Sequence, residues 1–320
     1  MSTALWLGLL CGVPFDTAWA AALPPGTAVR VPAGNYSGPW RLADGVQIKA
    51  TGATLMAPTG SDAALDVLGN ATIEGLTVWA PRGGYGVRLH GGTVTLLSMT
   101  VRGANQAAVF LAQGEATLIS VHLLGGEYGL LTQSAKSVSL SALEVRGQQR
   151  AGVAIVSGPA EIRGSEFIGP FGEAAIVLLH GDSRLTGNTL RNVGAIGIKV
   201  LNGSAQIERT SIASARADTR GLEGDGLYVY DSHVTLQALT ISDTDGVALS
   251  LIGSTALIES SLFTATREAA VFADRSSQLT ARHSEIRDSP AGLLLEAGNQ
   301  TTKAGFTFTR VLNPLVPLPP

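Results

Sequence analysis

Cysteine is almost missing from this chain of 320 residues: Cys11 is the single one, and it sits inside the apolar stretch Ala4 to Phe15. Disulfides are thereby excluded, and with three methionines and scattered histidines copper chemistry has no ligand set. Charged residues make up only 15% and the net charge is -3, so no basic field for nucleic acid exists. No run after the first fifteen residues approaches the roughly 18 consecutive apolar residues of a membrane helix. The five histidines, His90, His122, His180, His233 and His283, fall at no metal-ligand spacing, and no metal site is expected from them.

What the chain has is a register that returns about every 22 residues. A glycine opens each unit, at Gly86, Gly129, Gly152, Gly197, Gly226, Gly246 and Gly292, with Ala108 and Ala175 filling two gaps. Three short segments follow, each alternating apolar and polar residues, as in Gly86-Val87-Arg88-Leu89, Thr93-Val94-Thr95-Leu96 and Met99-Thr100-Val101. Alternation is the period of a half-buried strand, and each segment is too short for a helix.

A unit of three such strands cannot bury its apolar side alone and has to stack on its neighbours. The expected fold is therefore all-β, a solenoid of roughly eleven turns with parallel strands about 4.8 Å apart from turn to turn. The inner positions line up by type. The second strand offers the small residues Ala71, Val94, Ala116, Val138, Ala160, Ala205, Val234 and Ala256. The third offers Val78, Val101, Leu123, Val145, Phe167, Leu190, Ile212, Ile241, Phe263 and Ile286. At the bend between these strands one slot holds Leu76, Met99, Val121 and Leu143 early in the chain, then Ser165, Asn188, Thr210, Ser261 and Ser284. The polar residues there are expected to bond backbone groups of their own and the adjacent turn.

This pattern resembles the right-handed parallel β-helix repeat of the pectate-lyase-like superfamily, from about Leu23 to about Thr309. The opening Leu23-Pro24-Pro25-Gly26 through Gly34-Asn35-Tyr36, followed by Gly45-Val46-Gln47-Ile48, is similar to that superfamily's first turn. The resemblance implies the fold and leaves the activity open, because the superfamily includes lyases, hydrolases, epimerases, adhesins and proteins without catalysis. The expected organisation is a secretory leader over residues 1–20 ending at Ala18-Trp19-Ala20, the solenoid over 21–309, and an extended proline-rich tail over 310–320. A cleaved leader implies a periplasmic or secreted protein.

In the superfamily, activity lies on the outer face of the strand after the long variable loop. Alternation predicts the outward residues there as Asp66, Arg88, Phe110, Leu131, Ala154, Val177, Lys199, Tyr228, Ala248, Phe272 and Leu294. A second column is expected at His90, Gln133, Tyr230, Ser250, Asp274 and Glu296. One turn is long, Gly197 to Gly226, and its surplus is the charged stretch Ala213 to Asp225. Beside it, Asp225-Gly226 and Asp245-Gly246 are expected to stack in adjacent turns, a carboxylate pair able to split into acid and base or to hold Ca²⁺.

The pair is similar to the carboxylate strands of polygalacturonase-type hydrolases, with Asp243 and Asp245 in the place of their acidic pair. The Gly-His-Gly and Arg-Ile-Lys elements of those enzymes have no counterpart, Glu268, Ala269 and Ala270 standing instead. Asp-Gly also builds tight bends on its own. Two functions follow. The first is an exported protein whose outer face binds a carbohydrate or another extracytoplasmic protein without catalysis. The alternative is a polysaccharide hydrolase or lyase using Asp225, Asp245 and Lys199, with Tyr228, Tyr230, Arg220, Arg88 and His90 contacting the polymer.

Overall fold

The short alternating segments are strands, and each pairs in parallel with its equivalent one turn away. The computed structural model describes residues 6–7, 16–81, 83–217, 224–274, 276–296, 300–302 and 305–317, the backbone alone at 6–7 and 300–302. Cys11, Arg220 and the end of the tail from Leu318 lie outside the described residues. Contacts divide the chain into two units, residues 1–149 with 155–159, and residues 150–154 with 160–320. Each is a parallel β-solenoid with three strands per turn, and about twelve turns are present in all, against roughly eleven counted from the repeat.

In the first unit the third strands Gly34–Ser37, Ala53–Met56, Thr77–Trp79, Thr100–Arg102, His122–Leu124 and Glu144–Arg146 stack in that order. First and second strands run on into each other in the long strands Ala107–Ile119 and Tyr128–Ser141. In the second unit the third strands run from Glu166–Ile168 through Phe306–Thr309. The core is the set of columns read from sequence: Val78, Val101, Leu123 and Val145 in one unit and Phe167, Leu190, Ile212, Ile241, Phe263 and Ile286 in the other are all fully buried.

The opening glycine of each turn is a packing requirement. A Cβ on Gly226 would lie 2.3 Å from Ile241 Cγ2 and 2.7 Å from Ala248 O, because the first strand passes directly over the third-strand core. Ala248 is therefore the register partner of Gly226, 22 positions on, and Leu227 pairs with Leu249. Gly246 is not part of the glycine column, which corrects the sequence alignment. Ser250 then takes the place expected for Ala248 in the first outward column, Ile252 takes that expected for Ser250 in the second, and Ala248 is buried.

The sharp bend before the third strand uses one left-handed residue per turn. In the second unit these are Gly164, Gly187, Arg209, Ala238, Ser260 and His283, with φ between 47° at Arg209 and 66° at Gly187. The N–H groups of the first five donate to the next turn, Ala238 to Glu259 O at 3.0 Å and Ser260 to Arg282 O at 3.0 Å. The following slot behaves as expected. Asn188 Oδ1 accepts from Ser165 N–H at 3.0 Å while its Nδ2 donates to Ile162 O at 2.9 Å, and Ser284 Oγ accepts from Ser261 N–H at 3.2 Å. A second serine ladder, Ser232, Ser254 and Ser277, does the same at the bend between first and second strands.

Each end adds one feature to the repeat. Thr17–Ala21 is a short helix capped by Asp16, which accepts from Trp19 N–H at 2.9 Å, and the Trp19 ring meets Trp40 edge-on at 5.3 Å. The tail is a further rung rather than a free extension. Asn313–Pro317 pairs with Ala291–Leu295, so the solenoid continues past Thr309. No helix among the described residues is long and apolar enough to cross a membrane.

Two stability measurements check this reading. Asn188→Ala removes the buried bonds to Ser165 N–H and Ile162 O and is expected to cost about 2–4 kcal/mol in urea unfolding. Asn188→Ser, which copies the residue used at Ser165 and Ser261, should cost less. Ala238→Gly relieves a left-handed alanine whose conformation costs about 1–2 kcal/mol, partly offset by greater chain entropy, so a gain of up to about 1 kcal/mol is expected.

Candidate functional site

The long loop of the second unit is rooted by charge. Its first end, Ser214 to Ala217, and its second, Gly224 and Asp225, are stitched to the turns on either side: Arg216 N–H donates to Gly194 O at 2.8 Å, Gly224 N–H to Ala195 O at 2.8 Å and Asp245 N–H to Ala215 O at 2.9 Å. Gly224 has φ 98°, and a Cβ there would lie 2.9 Å from Ala217 N, so the two ends meet where only glycine fits.

Asp243, itself left-handed at φ 58°, receives both arms of the Arg216 guanidinium and the Ser214 hydroxyl, the latter at 2.9 Å. The hydrogen bonds from Arg216 hold the Asp243 carboxyl below the usual carboxylate range, against a smaller upward push from burial. Asp245 accepts from Ala217 N–H at 3.2 Å and pairs with Arg267 at 3.0 Å and Arg216 at 3.5 Å.

Asp225 belongs to a different arrangement. Its carboxylate accepts from Val247 N–H at 2.9 Å and from the Ser250 hydroxyl at 2.7 Å. Burial pushes this carboxyl up, and the two donors only partly counter it. The stacked pair expected of Asp225 and Asp245 is not formed, because Asp225 lies level with Val247 and Asp245 is two residues upstream. Neither does the donor set fit Ca²⁺: one carboxylate faces an N–H and an O–H, and the other faces two guanidinium groups. Among the described residues no three His, Cys, Asp or Glu side chains gather as metal ligands.

Outside these carboxylates runs the first outward column, Val177, Lys199, Tyr228, Ser250, Phe272 and Leu294, each in register with the next. Lys199 lies between Val177 and Tyr228, its side chain 15% exposed and its Nζ 3.7 Å from Glu173. Val177 and Tyr228 also pack against a small buried cluster of Ala174, Ala195 and Ile196. Tyr230 lies in the second column, level with Leu201 and Ile252. Lys199 is thus level with Tyr228, and Asp225 reaches the same strip through Ser250. Ser250, expected in the second column level with Tyr230, stands in the first and is the partner of Asp225; the turn spacing of 22 points from Tyr228 to position 250.

Arg88 and His90 stand in the first unit. Arg88 Nε donates to Asp66 Oδ1 at 2.6 Å and Nη2 to Oδ2 at 3.0 Å, and His90 Nε2 lies 3.0 Å from the same Oδ1. Burial pushes the Asp66 carboxyl up, but the bonds from Arg88 and His90 together outweigh it and leave it below the usual range. The fork of Arg88 is spent on this pair. Tyr85 and Phe110 stack beside it, ring centres 4.8 Å apart.

Residues 174–309 match the family described as "Right handed beta helix region". The fold is a parallel β-helix, and its right-handedness is consistent with that family. No curated protein matches the sequence. Among solved structures, this β-helix is similar to the catalytic unit of a thermostable α-1,3-glucanase from Streptomyces thermodiastaticus, at TM-score 0.61 and 15% identity over 93% of this chain and 64% of that one. It is similar to the Dettilon tailspike protein, at TM-score 0.56 and 9% identity over 93% and 66%. It is also similar to PfbA, a surface adhesin of Streptococcus pneumoniae, at TM-score 0.51 and 11% identity over 92% and 86%. The β-helix spans just under two thirds of the glucanase and tailspike chains. At such identities the likeness is one of fold.

The two aspartates make opposite contributions to pH dependence. A raised folded value at Asp225 means that its stability contribution is lost as pH rises from the unfolded value through the folded one. A lowered value at Asp66 means that its contribution is lost as pH falls through the folded value. Thermal melts between about pH 3 and about pH 8 should therefore show Asp225→Asn gaining on the parent as pH rises, and Asp66→Asn gaining on it as pH falls. Parallel curves for parent and variants would contradict both assignments.

Proposed function

We propose that the outer face of the first-strand sheet in the second unit binds a carbohydrate chain without cleaving it. The observation that carries this reading is the engagement of both candidate carboxylates in the protein's own bonds beside a column that stays half-exposed. Asp225 is held by Val247 and Ser250, and Asp245 by Arg216, Arg267 and Ala217. Val177, Tyr228, Phe272 and Leu294 remain half-buried along the strip, with Lys199 between the first two. An aromatic ring set among aliphatic side chains suits the apolar face of a pyranose, and the ammonium supplies a donor for its hydroxyl or carboxylate groups. The apolar leader supports export, and with it a ligand in the periplasm or outside the cell.

A second reading draws on one observation, the carboxyl of Asp225 pushed up by burial next to Tyr228, as a proton donor in a polysaccharide hydrolase or lyase requires. The shared fold does not choose, since a glucanase, a tailspike and an adhesin all carry it.

A glycan array with the full chain decides between them. The binding reading expects retention of at least one glycan, a loss of about tenfold or more in Tyr228→Ala, worth about 1.4 kcal/mol, and binding within about threefold of the parent in Asp225→Asn. Release of reducing ends by the parent, abolished in Asp225→Asn, would establish the enzyme instead. Capture of no glycan at all would overturn the proposal.

A further inference from the structure

The first unit contains a polar hollow of about 470 Å³ at the corner between first and second strands, away from the outer face of the first strands. Its floor is backbone. Gly114 has φ 99°, and a Cβ on it would lie 2.4 Å from Gly92 O, while a Cβ on Gly92 would lie 2.6 Å from the Gly69 carbonyl carbon. Turns therefore meet here with nothing between them, and the flanking side chains form the walls: Asn70, Thr93, Gln113, Glu115, Ser134 and Lys136.

A second feature coincides with it. The pairing of Ala107–Ile119 with Tyr128–Ser141 slips at this corner, Gly114 lying opposite Ala135 and Glu115 opposite Ser137. Lys136 is the extra residue of a bulge, where one strand advances two residues against one on its partner. Bulges re-aim a side chain, and this one turns an exposed lysine onto the hollow. Part of the wall is fixed in advance. Asn70 Nδ2 donates to Asp44 Oδ1 at 2.8 Å, Asn70 Oδ1 accepts from Thr93 N–H at 2.8 Å, and Thr93 Oγ1 donates to Glu115 Oε2 at 3.2 Å.

We propose that this hollow is a second glycan subsite, one that takes a neutral pyranose unit by its hydroxyl groups, with Lys136 and Gln113 as donors and Glu115 as acceptor. The volume falls within the range of small-ligand sites, about 300–1,000 Å³. One ammonium balances one carboxylate, so a polyanion gains nothing from entering. The walls hold no aromatic ring, so recognition runs through hydrogen bonds at the edge of the sugar. The subsite stands independently of the strip around Tyr228.

Amide-shift titration of the ¹⁵N-labelled full chain with cellotriose, laminaritriose and trigalacturonate tests it. Saturable shifts at Gly92, Gly114 and Lys136 with a neutral trisaccharide are expected, weakened at least tenfold in the double variant Gln113→Ala with Lys136→Ala and unchanged in Tyr228→Ala. Both substituted side chains are exposed, so the double variant should fold, which its own spectrum checks. The absence of saturable shifts with both neutral sugars, a response to trigalacturonate alone, or shifts that survive the double variant would each overturn the proposal. Loss in Tyr228→Ala would assign the sugar to the other face.

Discussion

The parallel ladder between turns is the constraint on which everything else in this molecule depends. Each strand takes its hydrogen bonds from the equivalent strand of the neighbouring turns, so every turn has to bring the chain back to the same place about 4.8 Å further on. That demand selects one left-handed residue at each sharp bend, whose N–H then serves the next turn, and it forces like side chains into columns. It also explains the glycine column. Where the first strand crosses over Ile212 or Ile241, a side chain on Gly197 or Gly226 would have to share space with the core residue beneath it.

Much of this was legible. Alternation marked the strands, and the interior of both units is the set of aligned apolar residues read from the repeat, down to the polar slot at Asn188 and Ser261. The error came from treating glycine itself as the register mark. Gly246 follows Gly226 by 20 positions, and the ladder instead places Ala248 there, since alanine is tolerated at that column in several turns. A shift of two preserves the alternation, which is why Leu249 and Leu251 still face the core, but it moves each outward residue one place along the strip and carries Ala248 from the outer face into the buried glycine column. The supposed Asp225 and Asp245 pair was the casualty. The pairing of Asn313–Pro317 with Ala291–Leu295 is hidden in the sequence for a related reason: proline at 314 and 317 reads as a stop, yet among the described strands this one pairs on one side only, where a missing donor is tolerated.

The charges of the second unit show how a solenoid accommodates an insertion. An extra stretch between third and first strands costs little in chain entropy, but its ends must still leave and rejoin the ladder in register. Arg216 binding Asp243 and Asp245, and Asp225 binding Val247 and Ser250, do this at the two ends of the loop. Each carboxylate spans a gap between turns that the backbone does not close. A carboxylate with that duty has a structural reason to be where it is, so its presence beside a loop is weaker support for catalysis than the sequence alone implies.

Insertion in a loop and insertion in a strand differ in what they reveal. A loop can lengthen without disturbing its neighbours, so length by itself carries little information about use. An extra residue inside a ladder breaks hydrogen bonds that the flanking turns would otherwise supply. Lys136 interrupts the most continuous pairing in the first unit, at a corner whose floor is glycine backbone. The balance of the two costs places the stronger constraint at the bulge rather than at the long loop, and a constraint with no return in packing points outward, to something the surface meets.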